Sequence, residues 1–144
     1  GVGSPRRLHS PLLLLAALAL ALALAVNSQR NSKVGAPWDA DVNDKDVQEA
    51  LKFALSEYNK ASNDENYSRV LQVKGAQKQV VAGINYFLDV EIGRTKCTKS
   101  KPNKESCPFY EQPDLLRKKL CSFQIYTVPW RSEKSLVKSH CHDA

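Results

Sequence analysis

The sequence predicts an α+β domain in which one amphipathic helix is followed by antiparallel strands. Two patterns carry this. Val47, Ala50, Leu51, Ala54, Leu55 and Tyr58 recur at three- and four-residue steps, which gathers them on one face of a helix. Further on, Ile84, Tyr86, Leu88, Val90 and Ile92 alternate with Asn85, Phe87, Asp89, Glu91 and Gly93, and Cys121, Phe123, Ile125 and Thr127 repeat that period of two. A sheet with one apolar face needs a cover, and the helix supplies it.

Residues 1–25 read as a secretory signal peptide. Arg6 and Arg7 precede an apolar run over 12–26, shorter than the ~18 residues of a membrane span, and Ala23-Leu24-Ala25 has the small-x-small form of a signal-peptidase site. The chain is therefore expected to be secreted, with no membrane partner. Residues 26–43 form a flexible N-terminal arm: polar, aperiodic, with a hinge at Gly35 and an extended bias before Pro37. Val34 and Trp38 are its conspicuous apolar groups. The folded domain spans 44–144.

The helix is expected over about 44–61, with Asn43 as N-cap and Asp44 and Asp46 at the positive end of its dipole. Phe53 lies off its apolar stripe. Residues 62–66 are turn formers, and Asn66-Tyr67-Ser68 is an N-x-Ser sequon in an expected surface loop of a secreted chain, which makes Asn66 a glycosylation candidate. A first strand follows over 69–79, with Leu71 and Val73 on one face and a bulge marked by Gly75.

Between that strand and its return lies Gln79-Val80-Val81-Ala82-Gly83. A hairpin tip normally carries water-tolerant turn formers, and here only Gly83 is one. Branched apolar side chains at an exposed tip suit a surface that another protein covers. The charged stretch 95–119 needs a staple at that length. After the strand that Pro129 stops, Trp130 stands among polar residues in a turn, where it is hard to bury, and a last strand runs over 135–141. Tryptophan is enriched among interface hot spots because it offers a large rigid area.

Four cysteines in a secreted chain of 144 residues read as two disulfides. Three pairings exist, of which Cys97 with Cys107 and Cys121 with Cys141 is the simplest, since each closes a short loop. A zinc site built from these cysteines with His140 and His142 is disfavoured, because no Cys-x-x-Cys pair occurs and secretion favours oxidation. Disulfide use of all four thiols, with His9 inside the leader, also argues against a nucleophile and base, so no enzyme and no cofactor is expected. The formal charge of +6, lowered by two when Arg6 and Arg7 are removed, is spread along the chain without aromatic interleaving, which does not suit a nucleic-acid partner.

Taken in order, the arm Gly35, the Gln79-x-Val81-x-Gly83 hairpin, the Pro129-Trp130 pair and the cysteine spacing resemble the cystatin family of secreted cysteine-protease inhibitors. Glu57-Tyr58-Asn59-Lys60-Ala61-Ser62-Asn63-Asp64 and Glu91-Ile92-Gly93-Arg94-Thr95 extend the resemblance, which covers about 33–144. It implies a cystatin-like fold, one long helix packed on a curved five-stranded antiparallel sheet, and disulfides Cys97 to Cys107 and Cys121 to Cys141. It further implies reversible, tight inhibition of papain-like cysteine proteases such as the cathepsins by a three-part wedge. Val34 and Gly35 would lie in the non-primed subsites, Gln79, Val80, Val81, Ala82 and Gly83 beside the catalytic cysteine, and Pro129 and Trp130 on the primed side. Lys33 and Trp38 depart from the family pattern in the arm, which points to altered enzyme preference. Some members also inhibit legumain through an Asn after the helix, and Ser62-Asn63-Asp64 matches that motif. A monomer is expected, with strand exchange into a swapped dimer as a hazard of the fold. The competing reading is a cystatin-fold binding or carrier module without inhibitory activity.

Overall fold

Period-two alternation and turn chemistry organise most of the molecule into a single antiparallel meander. The computed structural model describes residues 35–102 and 104–144. Its elements are β1 (Trp38–Asp39), α1 (Lys45–Ala61), β2 (Asn66–Val81), β3 (Gly83–Thr98), a 3-10 turn (Lys104–Ser106), a short α2 (Pro113–Leu116), β4 (Lys119–Val128), a second 3-10 turn (Pro129–Arg131) and β5 (Glu133–Asp143). The strands lie in the order β1-β2-β3-β4-β5, every neighbour antiparallel. The α+β expectation of one main helix and five strands holds. Among the described residues no helix is long and apolar enough to cross a membrane.

The helical stripe does what its spacing requires. Val47, Ala50, Leu51, Ala54 and Leu55 are buried against Tyr86, Leu88, Val90 and Ile92 of β3 and Cys121, Phe123 and Ile125 of β4. Tyr58 meets Phe123 edge to face at 6.3 Å between ring centroids, a favoured aromatic geometry. Phe53, off the stripe, is half-buried at the margin of the same core. The N-cap is Asp44 rather than Asn43, and neither side chain caps the helix: the turn before it is held instead by the Asn43 backbone N–H donating to Asp41 Oδ1 at 2.8 Å.

Three strand expectations are corrected. β2 starts at Asn66, so the sequon lies in a strand and not in a loop. The register of β2 against β3 shifts between Val70 and Gln72 and again between Val73 and Gly75. The second shift is the bulge that Gly75 signalled. The first turns Val70, with Val73, towards the core, so Leu71 and Val73 do not form a common core face. Leu71 lies instead beside Leu116 over Gly93, where an added β-carbon would approach their methyl carbons to 2.9 and 2.6 Å. The last strand is longer than expected, Glu133–Asp143, because pairing with β4 continues on both sides of the second disulfide.

Both disulfides form as the resemblance implied, Cys97 with Cys107 and Cys121 with Cys141. The first staples the long segment after β3. Arg69 adds to it by donating to the Cys107 carbonyl and lying 4.8 Å from the Phe109 ring centroid. In the arm, the flexible reading does not extend to Trp38 and Asp39, which pair with Lys78 and Gln77 of β2. Val34, Lys33 and residues 1–25, where a signal peptide is expected, lie outside the described residues.

Candidate protease-binding edge and the opposite loop

The β2–β3 hairpin is fastened to the sheet right up to its tip. Val81 pairs with Gly83, and Ala82 forms the turn. Gly83 has φ +131°, a conformation that L side chains rarely adopt, and a β-carbon there would lie 2.6 Å from the Thr127 carbonyl oxygen. Glycine is thus required by both conformation and space. The Tyr126 hydroxyl donates to the Ala82 carbonyl, tying the turn to β4.

Behind the tip runs a chain of amides across three strands. Gln124 Nε2 donates to Asn85 Oδ1, and Asn85 Nδ2 donates to Gln79 Oε1, each at 3.3 Å. Gln79 therefore anchors the hairpin and points away from the helix side. On the helix side, Asp46 accepts from the Tyr86 hydroxyl at 2.8 Å and from Lys78 Nζ. Burial works against the Asp46 charge, but these two donors outweigh it and lower its pKa. Burial, followed by the Asp46 carboxylate, drives the Tyr86 pKa upward. Sequence reasoning did not find Tyr126, Asn85, Gln124, or the Asp46-Lys78-Tyr86 cluster. The signal of Asn85 and Gln124 was faint, polar residues at alternate positions of strands whose other face is apolar, and the Asp46 cluster depends on how α1 lies on the sheet.

With the tip held, apolar surface remains in water. Val80 is 52% exposed and Trp130 is 70% exposed. Trp130 sits in the 3-10 turn directly after β4, where Pro129 starts the turn and Ser132, at φ +53°, closes it by donating its N–H to the Pro129 carbonyl. Because β3 and β4 are neighbours, the Pro129 turn and the hairpin tip share one end of the sheet: Ile84 pairs with Thr127. Trp38, 46% exposed and paired with Lys78, flanks that end from the β1 side. Gly35 is exposed, with open space where a side chain would stand.

Ser62, Asn63 and Asp64 occupy the loop between α1 and β2, at the other end of β2. Asn63 is exposed while its neighbours are tied down. The Asp64 N–H donates to Ser62 Oγ at 3.1 Å, Lys99 Nζ donates to the Ser62 carbonyl at 2.6 Å, and Arg94 holds the Asp64 carboxylate through Nε at 2.5 Å and Nη2 at 3.2 Å. Below the loop, buried Asn59 clamps helix to strand: its Nδ2 donates to the Leu55 and Ser68 carbonyls, and its Oδ1 accepts from the Ser68 N–H at 2.9 Å. Asn66 Nδ2 donates to the Thr95 carbonyl at 2.9 Å and to the Tyr110 hydroxyl at 3.1 Å. A glycan on that nitrogen would compete with both bonds.

A chain whose one long described helix lies on a five-stranded meander, with Gln79, Val81 and Gly83 at the hairpin tip and Pro129-Trp130 beside it, belongs to the cystatin family. The family model for the cystatin domain matches residues 35–130. The chain is 59% identical over 142 residues to cystatin-C of Macaca mulatta, covering 95% of this chain and 97% of that protein. To cystatin-C of Homo sapiens it is 58% identical with the same coverage. Among solved structures it is similar to dimeric human cystatin F, with a TM-score of 0.70 and 29% identity over 78% of this chain and 90% of the other. It is also similar to the salivary cystatin of the soft tick Ornithodoros moubata, with a TM-score of 0.61 and 32% identity over 75% and 97%.

Proposed function

We propose that this chain is a secreted, reversible inhibitor of papain-like cysteine proteases, cathepsins among them, acting as a monomer. Its place in the cystatin family and its identity to mammalian cystatin-C over nearly their full length support inhibition of cysteine proteases. The observation that carries the wedge reading is the pairing of exposed apolar side chains with a backbone fixed on both sides of the tip. Exposed Val80 and Trp130 have surface to bury, and the Tyr126, Gln79 and Asn85 bonds leave the hairpin little freedom to lose on docking. An interface on the order of 1,600 Å² can then bind tightly.

In this reading Val80, Val81 and Ala82 enter the cleft beside the catalytic cysteine, Pro129 and Trp130 pack on its primed side, and Val34 and Gly35 reach the non-primed subsites. The tip blocks the nucleophile without offering an aligned peptide carbonyl, so the inhibitor is not consumed. Trp130→Ala is expected to weaken papain binding by about 2–4 kcal/mol, read from the dissociation constant. An unchanged constant would favour the non-inhibitory module.

A second reading concerns the opposite loop. Asn63 is the exposed residue of a segment stapled by Arg94 and Lys99, which suits presentation of a substrate-like Asn to a legumain-type asparaginyl protease. Asn63→Ala should abolish inhibition of legumain while papain binding is retained. Intact legumain inhibition in that variant would remove this second reading.

A further inference from the structure

The outer face of β5 carries a pair of imidazoles that protease inhibition does not use. His140 and His142 are two residues apart on one strand, so both project from the same side. That side is the solvent face: His140 pairs with exposed Ser122, whereas the intervening Cys141 and its partner Cys121 face the core. Both imidazoles are exposed, and their ring centroids lie 6.1 Å apart. Among the described residues no hydrogen bond occupies their nitrogens, and the two rings are each other's aromatic neighbours.

We propose that His140 and His142 form a two-ligand chelate for a divalent transition-metal ion of the zinc, nickel and copper type. Neutral imidazole is a preferred ligand of these ions. An imidazole nitrogen binds zinc at about 2.0–2.1 Å, which puts the centroids of two rings sharing one ion about 5–6 Å apart. Side-chain rotation alone reaches that distance from the observed one. The backbone beneath needs no rearrangement, because Cys141 between the two histidines is bonded to Cys121 and the strand is paired with β4 on both sides of it. The bond also removes the thiolates that a mixed cysteine and histidine site would need, leaving the two rings as the donors. No third His, Cys, Asp or Glu joins them among the described residues, so water completes the coordination. Asp89, whose carboxylate accepts from the Ser122 hydroxyl at 2.8 Å, adds negative charge to the same face two strands away. The pair lies near the Lys119 end of the sheet, opposite the end that bears Trp130, so an ion there leaves the protease edge clear.

Calorimetric titration of the full chain with Zn²⁺ alone, at neutral pH, tests this. One ion should bind per chain, with the imidazole NMR resonances of His140 and His142 moving together. His140→Gln and His142→Gln should each weaken binding by at least about tenfold, because each converts a chelate to a single ligand. Absence of saturable uptake overturns the proposal, as does a loss produced by only one of the two substitutions.

Discussion

Gly83 and Asp64 are the positions where single side chains have the clearest consequences. A methyl group on Gly83 would meet the Thr127 carbonyl and the Tyr126 ring, in a backbone conformation already unfavourable for alanine. Gly83→Ala should therefore cost about 1–3 kcal/mol, read from the denaturant midpoint, and weaken papain binding beyond what the lost stability explains. At Asp64, burial disfavours the carboxylate, but Arg94 and the Asn66 backbone N–H more than offset it and lower the pKa below the ordinary 3.8. The folded-state pKa is the depressed one, so the stabilisation is complete above the unfolded value and is lost as the pH falls through the folded value. On acidification below about pH 4, the native chain should lose more melting temperature than Asp64→Asn. Equal acid sensitivity would mean that the Arg94 contact contributes no net stability. Glycine at position 83 was legible in sequence because turns favour it. The Arg94 to Asp64 contact was not, since thirty residues separate partners that only the β2–β3 pairing brings together.

At the level of elements, α1 was the most legible because a 3.6-residue period over 17 residues admits few other readings. β2 was the least: register shifts break its alternation, and Leu71 consequently faces Gly93 rather than the helix. Asn59 was also hidden, since a buried Asn on a helix looks like any other polar interruption. It joins α1 to β2 by two hydrogen bonds, and its removal leaves buried Ser68 backbone groups unpartnered. Asn59→Ala should thus destabilise by about 3 kcal/mol in chemical denaturation. A change within experimental error would mean that water replaces the amide. The joint replacement Cys97→Ala with Cys107→Ala, which opens a loop with a sequence separation of 10, should cost about 2–3 kcal/mol.

Across the whole molecule, β2 separates two surfaces. Its 16 residues span at most about 50 Å from the loop bearing Asn63 to the tip at Val81. On the reading proposed here, papain-like and legumain-type enzymes bind opposite ends, so Trp130→Ala should spare the second activity and Asn63→Ala the first. Competition between the two enzymes for one chain would contradict that separation. The tip end was legible as soon as valines were found where turn formers belong. The bonds that hold it rigid were not, because they depend on three strands lying in register. The role proposed for this apolar edge is to close a cysteine-protease cleft. Titrating active papain with the purified chain tests it most directly. Activity should fall linearly to zero at one chain per active enzyme, with intact chain recovered on dissociation. Undiminished activity, or a chain cut by the enzyme as inhibition fades, would contradict the account.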